Sequence, residues 1–223
     1  MRTWDRYLLD ARELMTALVS DTPGLPRFVY GHSMGALIAI GLAIASAREN
    51  AGSAPLRRAE PEVMGWISSG AGIEPSGIAR PHLVAIARLL SRVAPRVSLD
   101  LGIDAEALSH DLDVIAAYRE DPLIQHRATV RWGTEALSAI RAIKKGASEI
   151  EDPLLVLHGS ADTLARPRGS RWLAEEASGS VRLVVYEGAR HEPHNDPDYA
   201  DVAKDVVSWV RKVMDGVRGE ERN

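Results

Sequence analysis

Three side chains in the sequence are of the types that serve as nucleophile, acid and base in covalent catalysis. Ser33 stands at the centre of a Gly-x-Ser-x-Gly motif, Asp162 follows later in the chain, and His191 comes after Asp162. A histidine that a carboxylate orients can take the proton from a serine hydroxyl, and the serine oxygen can then attack an acyl carbonyl. The order serine, aspartate, histidine therefore indicates acyl-transfer chemistry through a catalytic triad.

Each of these side chains closely follows a short apolar run with the length and composition of a buried strand. The runs cover residues 28–30, 154–158 and 181–186. The carboxyl ends of parallel strands meet at one edge of a sheet, and open α/β sheets bind ligands at that edge. The pattern therefore predicts that the three side chains lie together there.

The segment Gly31-His32-Ser33-Met34-Gly35 has the surroundings that a nucleophile elbow requires, a strand before it and a helix after it. Such a turn holds its serine in a strained backbone conformation, and we expect side chains at either glycine to clash with neighbouring backbone. Residues 36–48 are apolar nearly all round, which predicts a buried helix with its N-terminus at the site. The backbone N–H of Met34 is then an oxyanion donor. A glycine-rich turn that only caps a core helix is the alternative.

The remaining histidines fit structural roles better than a catalytic one. His194 lies further from its strand than His191 and is expected to serve the local turn. His158 is expected to support the Asp162 loop, and His32 to pack or hydrogen-bond locally. No pair of histidines has ligand spacing with a carboxylate, so we expect no metal site, and no cofactor is implied. The histidines expected at the surface or at helix ends are His82, His110 and His126.

Strand-like and helical patterns alternate in the first and last parts of the chain. This alternation, with a further strand at 63–67, predicts a parallel α/β sheet covered by helices on both faces. Residues 74–151 interrupt it with helical patterns and no convincing strand. We therefore divide the chain into an α/β core, residues 1–73 and 152–217, and a helical insertion, residues 74–151. The other expected helices cover 3–19 (with Thr3 as N-cap), 81–93, 105–120, 126–145, 169–177 and a C-terminal segment that has Pro197 at an early position.

Composition limits the classes of protein to which the chain can belong. It has 223 residues, 45% of them hydrophobic and 26% charged, with a formal net charge of −4 and no cysteine. These values are typical of a globular domain, and they exclude a basic nucleic-acid stripe, disulfides and thiol catalysis. Charged residues near the start leave no signal-peptide core, and the apolar run 36–47 is too short to span a bilayer. We expect a cytoplasmic protein, with peripheral membrane contact left open.

Several longer motifs surround the candidate residues and extend into the insertion. They are Gly31-His32-Ser33-Met34-Gly35-Ala36, Leu108-Ser109-His110-Asp111, Tyr118-Arg119-Glu120-Asp121-Pro122-Leu123, His158-Gly159-Ser160-Ala161-Asp162, and His191-Glu192 with Asn195-Asp196. Together they resemble the monoacylglycerol lipase and lysophospholipase group of α/β-hydrolases. The resemblance implies that Ser33, Asp162 and His191 are the triad. It also implies that the Met34 backbone is one oxyanion donor and that the insertion is a lipid-binding cap.

The resemblance further implies a carboxylic-ester hydrolase that works through an acyl-enzyme. Its expected substrates are monoacylglycerols or lysophospholipid-type lipids. The first helix of the insertion carries Leu83, Ile86 and Leu90 on one side, which suits the acyl chain of such a substrate. Plain packing of this stripe against the sheet is an equal alternative.

The start of the sequence departs from this family. Members begin with several strands before the elbow strand, including a His-Gly turn that supplies the second oxyanion donor, and neither appears before Ser33. We therefore expect that N-terminal strands of the fold are absent and that the edge at 28–30 is open to self-association. Loss of one oxyanion donor typically costs about 3–4 kcal/mol of transition-state stabilisation. The alternative function is thus an impaired hydrolase-fold remnant that acts as a binding module or is inert.

Overall fold

The computed structural model describes residues 3–51, 63–76 and 81–220, with the backbone alone for 81–84 and 217–220. The strands are β1 (Arg27–His32), β2 (Val63–Ser69), β3 (Ser98–Asp100), β4 (Arg127–Thr129), β5 (Leu154–Gly159) and β6 (Val181–Tyr186). The α-helices are α1 (Trp4–Asp21), α2 (Met34–Asn50), α3 (Pro81–Val93), α4 (Leu112–Glu120), α5 (Val130–Gly146), α6 (Pro167–Glu176) and α7 (Tyr199–Glu220).

A parallel sheet in the order β1-β2-β5-β6 forms the centre of the molecule. All four strands that the sequence predicts are present, so the expected α/β architecture is confirmed. Strand β5 lies in the middle and every one of its residues is buried. Its continuous apolar run reflects burial on both faces, which is typical of a parallel sheet covered by helices.

The two faces of the sheet pack against different helices. Leu154 and Val156 belong to a large cluster with α1, α2, α5 and α6, whereas Leu155 and Leu157 pack with Val202 and others of α7. Successive side chains of a strand point to opposite faces, so β5 contributes residues to the hydrophobic clusters on both faces of the sheet. The sheet edge that carries the candidate residues is therefore held rigidly from both sides.

Helix α2 is buried nearly all round, as its composition predicts. Its fully buried residues are Ala36, Leu37, Ala39, Ile40, Leu42, Ala43 and Ile44. It packs on β1 and β2 and is covered in turn by α1 and α5. Although α2 is the most apolar helix, no helix in the described parts of the chain combines the length and apolarity needed to cross a membrane.

The segment between β2 and β5 is not purely helical, contrary to expectation. Strand β3 pairs antiparallel with β4, with Leu99 opposite Ala128. Strands of three residues are too short to leave an alternating pattern in the sequence, which is why they were not predicted. Residues 105–120 likewise form a short 3₁₀ turn at Ala105–Ala107 followed by α4, rather than one helix.

Capping side chains explain where two of these helices begin. The Asp111 carboxylate accepts hydrogen bonds from the backbone of Asp113, at 2.8 Å, and Val114, so α4 starts after it. Thr129 accepts one from Trp132 N at 3.1 Å, which starts α5 later than predicted. Thr3 does occupy the N-cap position of α1, but its side chain makes no capping hydrogen bond, so that part of the prediction is wrong.

Helix α5 connects the proposed insertion with the proposed core. Its Ala139 and Ile143 are buried in the same cluster as α2 and β5. Hydrophobic contact of this kind makes the last helix of residues 74–151 part of the main core. The division of the chain at residues 74 and 151 therefore stays a prediction about sequence organisation.

Strand β1 lies at one edge of the sheet. In the part of the chain that the structure describes, it pairs with β2 on one side and with no strand on the other. Two large apolar side chains are exposed along or beside it, Leu25 at 58% and Tyr30 at 42%. An edge of this kind presents backbone hydrogen-bonding groups that another strand can pair with.

We propose that this edge mediates self-association with a second copy of the chain. The double variant Leu25→Lys/Tyr30→Lys should lower the concentration-dependent mass, because lysines on an edge oppose strand pairing. Light scattering after size exclusion, at several protein concentrations, measures this mass. The control Leu14→Lys/Val207→Lys carries the same charges on exposed apolar residues of α1 and α7 and should behave as wild type. A wild type that stays monomeric at all concentrations would contradict the proposal.

Candidate active site

Ser33 occupies the single residue between β1 and α2 and is held in a strained conformation. Its φ is 52° and its ψ −111°, and it is the one non-glycine residue with positive φ among the residues described. Such a conformation costs of order 1–3 kcal/mol and persists only where the surroundings enforce it. Ser33 N donates to Ser69 O at 2.9 Å, which ties the turn to the end of β2. The serine side chain is thereby presented at the carboxyl edge of the sheet.

The two glycines of the elbow do not play the same role. A Cβ on Gly31 would lie 2.6 Å from the carbonyl carbon of Gly35 and 2.8 Å from Cα of Ala36, so only glycine fits there. A Cβ on Gly35 would meet no atom of the described part of the chain within 4 Å. The expected clash is therefore found at Gly31, and the expectation is wrong for Gly35, whose missing side chain leaves open space.

The structure brings Ser33, His191 and Asp162 into one hydrogen-bonded row. His191 Nε2 lies 3.0 Å from Ser33 Oγ, and His191 Nδ1 lies 2.8 Å from Asp162 Oδ2. Both His191 and Asp162 are buried. A carboxylate can only accept, so Nδ1 carries the proton and Nε2 is left to accept from the serine hydroxyl. This arrangement can move a proton from serine to histidine.

The Asp162 carboxylate is surrounded by donors. Oδ1 accepts from Leu164 N at 2.8 Å and Ala165 N at 2.9 Å, and Oδ2 lies 3.0 Å from His158 Nε2 in addition to His191. Burial alone would raise the pKa of Asp162, but the hydrogen bonds from His158, His191 and Ala165 outweigh it and lower this pKa well below its usual value. Asp162 therefore remains a carboxylate over the working pH range of proteins.

His158, near the end of β5, contacts the Asp162 carboxylate from the interior of the protein. It is fully buried, and its Nδ1 lies 2.7 Å from Ser170 Oγ on α6. Its Nε2 faces both Asp162 and the carbonyl of Ala165, at 3.0 Å. Two acceptors at Nε2 require the proton there, so Nδ1 accepts from Ser170. The expected supporting position of His158 is the one observed.

His32 was expected to pack or hydrogen-bond locally, and its ring in fact packs against the ring of His191. The ring centroids of these two histidines are 4.9 Å apart, and the ring of His194 stands edge-on to His32 at 4.6 Å. His32 Nδ1 lies 3.4 Å from Ser69 Oγ, while its buried Nε2 has no hydrogen-bond partner among the residues that the structure describes. Burial, together with the neighbouring His191 and His194, lowers the pKa of His32 to about 3.

His194 does not simply serve its local turn, as the sequence suggested. Its Nδ1 lies 3.4 Å from Tyr30 Oη on β1, and its ring contacts His32. Burial lowers the pKa of His194 as well. His32 and His194 are therefore largely uncharged and lie side by side next to His191. Residue spacing alone could not reveal this grouping.

Met34 begins α2 and lies directly after Ser33. The first N–H groups of a helix have no acceptor within the helix, and the helix dipole places positive potential at this end. The Met34 N–H is therefore in a position to bind a negative oxygen next to Ser33. This position agrees with the oxyanion role expected from the motif, which stays a proposal.

Of the three residues expected to bind an acyl chain, two have side chains that the structure describes, and both lie on α3. Ile86 is 54% exposed and lies on an outward apolar stripe of α3 with Leu89 and Val93. Leu90 is half-buried. The side chain of Leu83 lies outside the described residues.

Residues that hold the His191 loop were missed from the sequence. Asp196, Ser109 and His110 are hydrogen-bonded to one another across the boundary between the insertion and this loop. Both segments belong to the motifs quoted above, but a motif match states no contact between distant residues. Only the three-dimensional structure pairs them.

Known proteins share both the sequence pattern and the fold. Residues 1–198 match the family model described as serine aminopeptidase, S33. The chain is 34% identical over 212 residues to the monoacylglycerol lipase of Mycolicibacterium smegmatis, covering 94% of this chain and 71% of that protein. It is 32% identical over 211 residues to the monoglyceride lipase of Homo sapiens, covering 92% of this chain and 64% of that protein.

A solved structure agrees with these relatives. The crystal structure of Paleococcus ferrophilus monoacylglycerol lipase aligns with a TM-score of 0.77 at 28% identity, covering 92% of this chain and 76% of that one. The chain spans between 64% and 71% of the length of the two relatives above. The elbow at Ser33, the parallel sheet and these matches lead to one conclusion: the chain belongs to the serine aminopeptidase S33 family of α/β-hydrolases, the group in which its monoacylglycerol lipase relatives are found.

Proposed function

We propose that the chain is a serine hydrolase of carboxylic esters with Ser33 as nucleophile, His191 as base and Asp162 as the orienting acid. The observation that carries this proposal is the row of two contacts at His191, 3.0 Å to Ser33 Oγ and 2.8 Å to Asp162 Oδ2. Both distances are those of hydrogen bonds ready for proton transfer. A strained serine at a strand–helix turn adds an independent reason.

The reaction follows from these positions. Ser33 Oγ bonds to the acyl carbon as its proton passes to His191 Nε2, and the carbonyl oxygen takes the negative charge beside the Met34 N–H. The bond to the leaving alcohol breaks, and that alcohol takes the proton from His191. A water molecule then gives a proton to His191 and attacks the acyl-enzyme. The acyl–Ser33 bond breaks, the serine regains its proton, and a carboxylic acid is released.

Asp162 contributes by charge and orientation. Its lowered pKa keeps it negative while His191 alternates between neutral and cationic forms. A fixed carboxylate at Nδ1 stabilises the imidazolium and keeps the other nitrogen aimed at Ser33. The hydrogen bonds from His158 and from the Leu164 and Ala165 backbone hold the carboxylate for this task.

We propose monoacylglycerols, or related single-chain lipid esters, as substrates. The relatives from Mycolicibacterium smegmatis and Homo sapiens carry monoacylglycerol and monoglyceride lipase names. The insertion supports a lipid substrate, because it presents many exposed apolar side chains that need a partner. They are Ile86, Leu89, Val93, Val97, Leu99, Leu101, Ile103, Leu112 and Leu123.

The same surface supports peripheral contact with a membrane. Arg88, Arg92 and Arg96 are exposed among these apolar residues on and after α3. Apolar side chains can enter the headgroup region, and neighbouring cations are attracted to anionic lipids. We therefore propose that α3 lies against lipid when the enzyme takes up its substrate.

The triad assignment has a direct test. Ser33→Ala, His191→Ala and Asp162→Asn should each lower hydrolysis of p-nitrophenyl acetate by roughly a thousandfold or more, because the three act as one unit. Labelling by a fluorophosphonate probe should disappear in Ser33→Ala.

The neighbouring histidine provides the matched control for this test. His194→Ala removes a ring from the same loop but no member of the row, so its loss of activity should be mild. If Ser33→Ala keeps half of the activity, the assignment is wrong. A wild type that is never labelled would favour the alternative of an impaired, binding-only protein.

The lipid proposal predicts separate effects on the two sides of α3. Leu89→Asp, on the exposed side, should weaken sedimentation with vesicles of phosphatidylcholine and phosphatidylglycerol. Leu90→Asp, at a half-buried position, should raise KM for a long-chain monoacylglycerol severalfold and leave KM for the acetate ester unchanged. Leu14→Asp, on the exposed part of α1, is the control. Equal wild-type rates on monoacylglycerols and triacylglycerols would contradict the substrate class.

The uncharged state of His32 predicts how stability depends on pH. Its folded pKa of about 3 lies below the reference value of 6.5, so between these values the unfolded chain binds a proton that the folded chain does not. Stability is therefore lost as pH falls below about 6.5. In His32→Gln, the loss of unfolding free energy between pH 7 and pH 5 should shrink by about 1–2 kcal/mol.

Urea unfolding followed by tryptophan fluorescence at the two pH values measures this change. The interval lies above the range in which Asp162 titrates, because the pKa of Asp162 is lowered. His126→Gln replaces an exposed histidine and serves as the control. An equal acid-induced loss in His32→Gln and wild type would refute the prediction.

A further inference from the structure

A second buried carboxylate lies close to His191 but takes no part in the reaction proposed above. Asp196 Oδ1 accepts from His110 N at 2.6 Å and lies 3.1 Å from both His110 Nδ1 and Ser109 Oγ. Its Oδ2 accepts from Arg190 N at 2.7 Å. Arg190 directly precedes His191, so this carboxylate joins the backbone next to the proposed base to residues of the insertion.

Further hydrogen bonds connect the same two segments. His191 N donates to Ala107 O at 3.2 Å, and Glu192 N donates to Leu108 O at 2.9 Å. The Arg190 guanidinium donates from Nη1 to Ser109 O at 2.7 Å. The backbone of residues 190–192 is therefore bound along residues 107–110 of the insertion.

The other side of this loop rests on the end of β5. A Cβ on Gly159 would collide with the backbone of Ala189 and Arg190, so the loop lies directly against that glycine. Ala161 N also donates to Ala189 O at 2.9 Å. The loop that carries His191 is thus held between the sheet edge and the insertion, and Asp196 makes the charged contact of that second attachment.

The Asp196 carboxylate is well suited to a permanent attachment. Burial alone would raise its pKa, but the hydrogen bonds from His110, Arg190 and Ser109 outweigh burial and lower the pKa. A charged acceptor makes stronger hydrogen bonds than a neutral one. Removing the carboxylate would leave several buried donors without a hydrogen-bond partner. Each unpaired buried donor costs the full free energy of its removal from water.

We propose that Asp196 is a positioning residue for His191, fixing residues 190–192 against residues 107–110 so that the insertion sets the geometry of the catalytic base. This inference rests on the proposed hydrolase function. Asp196 touches no reacting atom, so it acts only through the backbone on which His191 is carried. A displacement of about 1 Å at a reacting group can lower a rate by about a hundredfold.

The test compares two changes at one residue. In Asp196→Ala, kcat for p-nitrophenyl acetate, expressed per fluorophosphonate-titrated site, should fall roughly ten- to a hundredfold with KM nearly unchanged. Asp196→Asn keeps one carbonyl oxygen for His110 and Ser109, so it should recover part of the loss. The acid limb of the kcat/KM profile should also move, because His191 would sit differently between its partners.

Two matched variants separate positioning from a general loss of stability. Asp198→Asn changes an exposed carboxyl in the same loop, and Asp111→Ala removes the side-chain cap of α4 within the insertion. Both should keep wild-type kcat per titrated site, even if Asp111→Ala lowers Tm. If folded Asp196→Ala keeps the wild-type kcat and pH profile, Asp196 is not a positioning residue.

Hydrogen exchange gives a readout that does not depend on catalysis. Amides of residues 190–192 should exchange faster in Asp196→Ala than in wild type, whereas those of β5 should not. Unchanged exchange would overturn the inference even in an inactive protein. The two proposals can fail separately. If the fluorophosphonate does not label wild type but amides 190–192 still exchange faster in Asp196→Ala, the proposed hydrolase function is wrong and the structural role of Asp196 stands.

Discussion

The buried charge on Asp162 is the interaction on which the rest of the site depends. A carboxylate away from water is costly unless donors replace the water that it loses. Here those donors come from His191, from His158 and from the loop backbone. Ser170 on α6 lies 2.7 Å from the other nitrogen of His158, in a position to donate to it while the imidazole keeps its proton at Nε2. The position of Asp162 therefore requires β5 to be central and covered by helices, which explains the continuous apolar run that precedes it.

The strained backbone of Ser33 is stabilised in a different way from the buried charge of Asp162. The positive φ of Ser33 is disfavoured for a residue with a side chain, so the surrounding structure has to enforce it. The hydrogen bond to Ser69, the burial of α2 and the close approach of Gly31 to Gly35 hold the turn from three directions. Stability in the hydrophobic core thus maintains a local strain that presents the proposed nucleophile.

The sequence predicted most of the fold and the positions of the three candidate residues, because both depend on patterns along the chain. Strands with continuous apolar runs, and the buried helix α2, were identified on that basis. The β3–β4 pair was missed because three-residue strands carry no readable period. A local packing role was expected for His32, but its contact with the His191 ring was not specified, and the attachment of Asp196 to Ser109 was missed, for another reason. Both join residues that are distant in the chain, and residue types alone do not predict such contacts.

The hydrogen bonds between the loop of His191 and the insertion limit how the insertion can move. Residues 107–110 are bonded to residues 190–192 and to Asp196, so a movement of the whole insertion away from the sheet would break several bonds at once. Each is worth about 0.5–1.5 kcal/mol net, and those to a charged group more. Such a movement would also displace the proposed base. For the lipid substrate proposed above, an opening movement is therefore expected to leave residues 107–110 in place and to involve the apolar surface of α3 and β3, where exposed apolar side chains are concentrated.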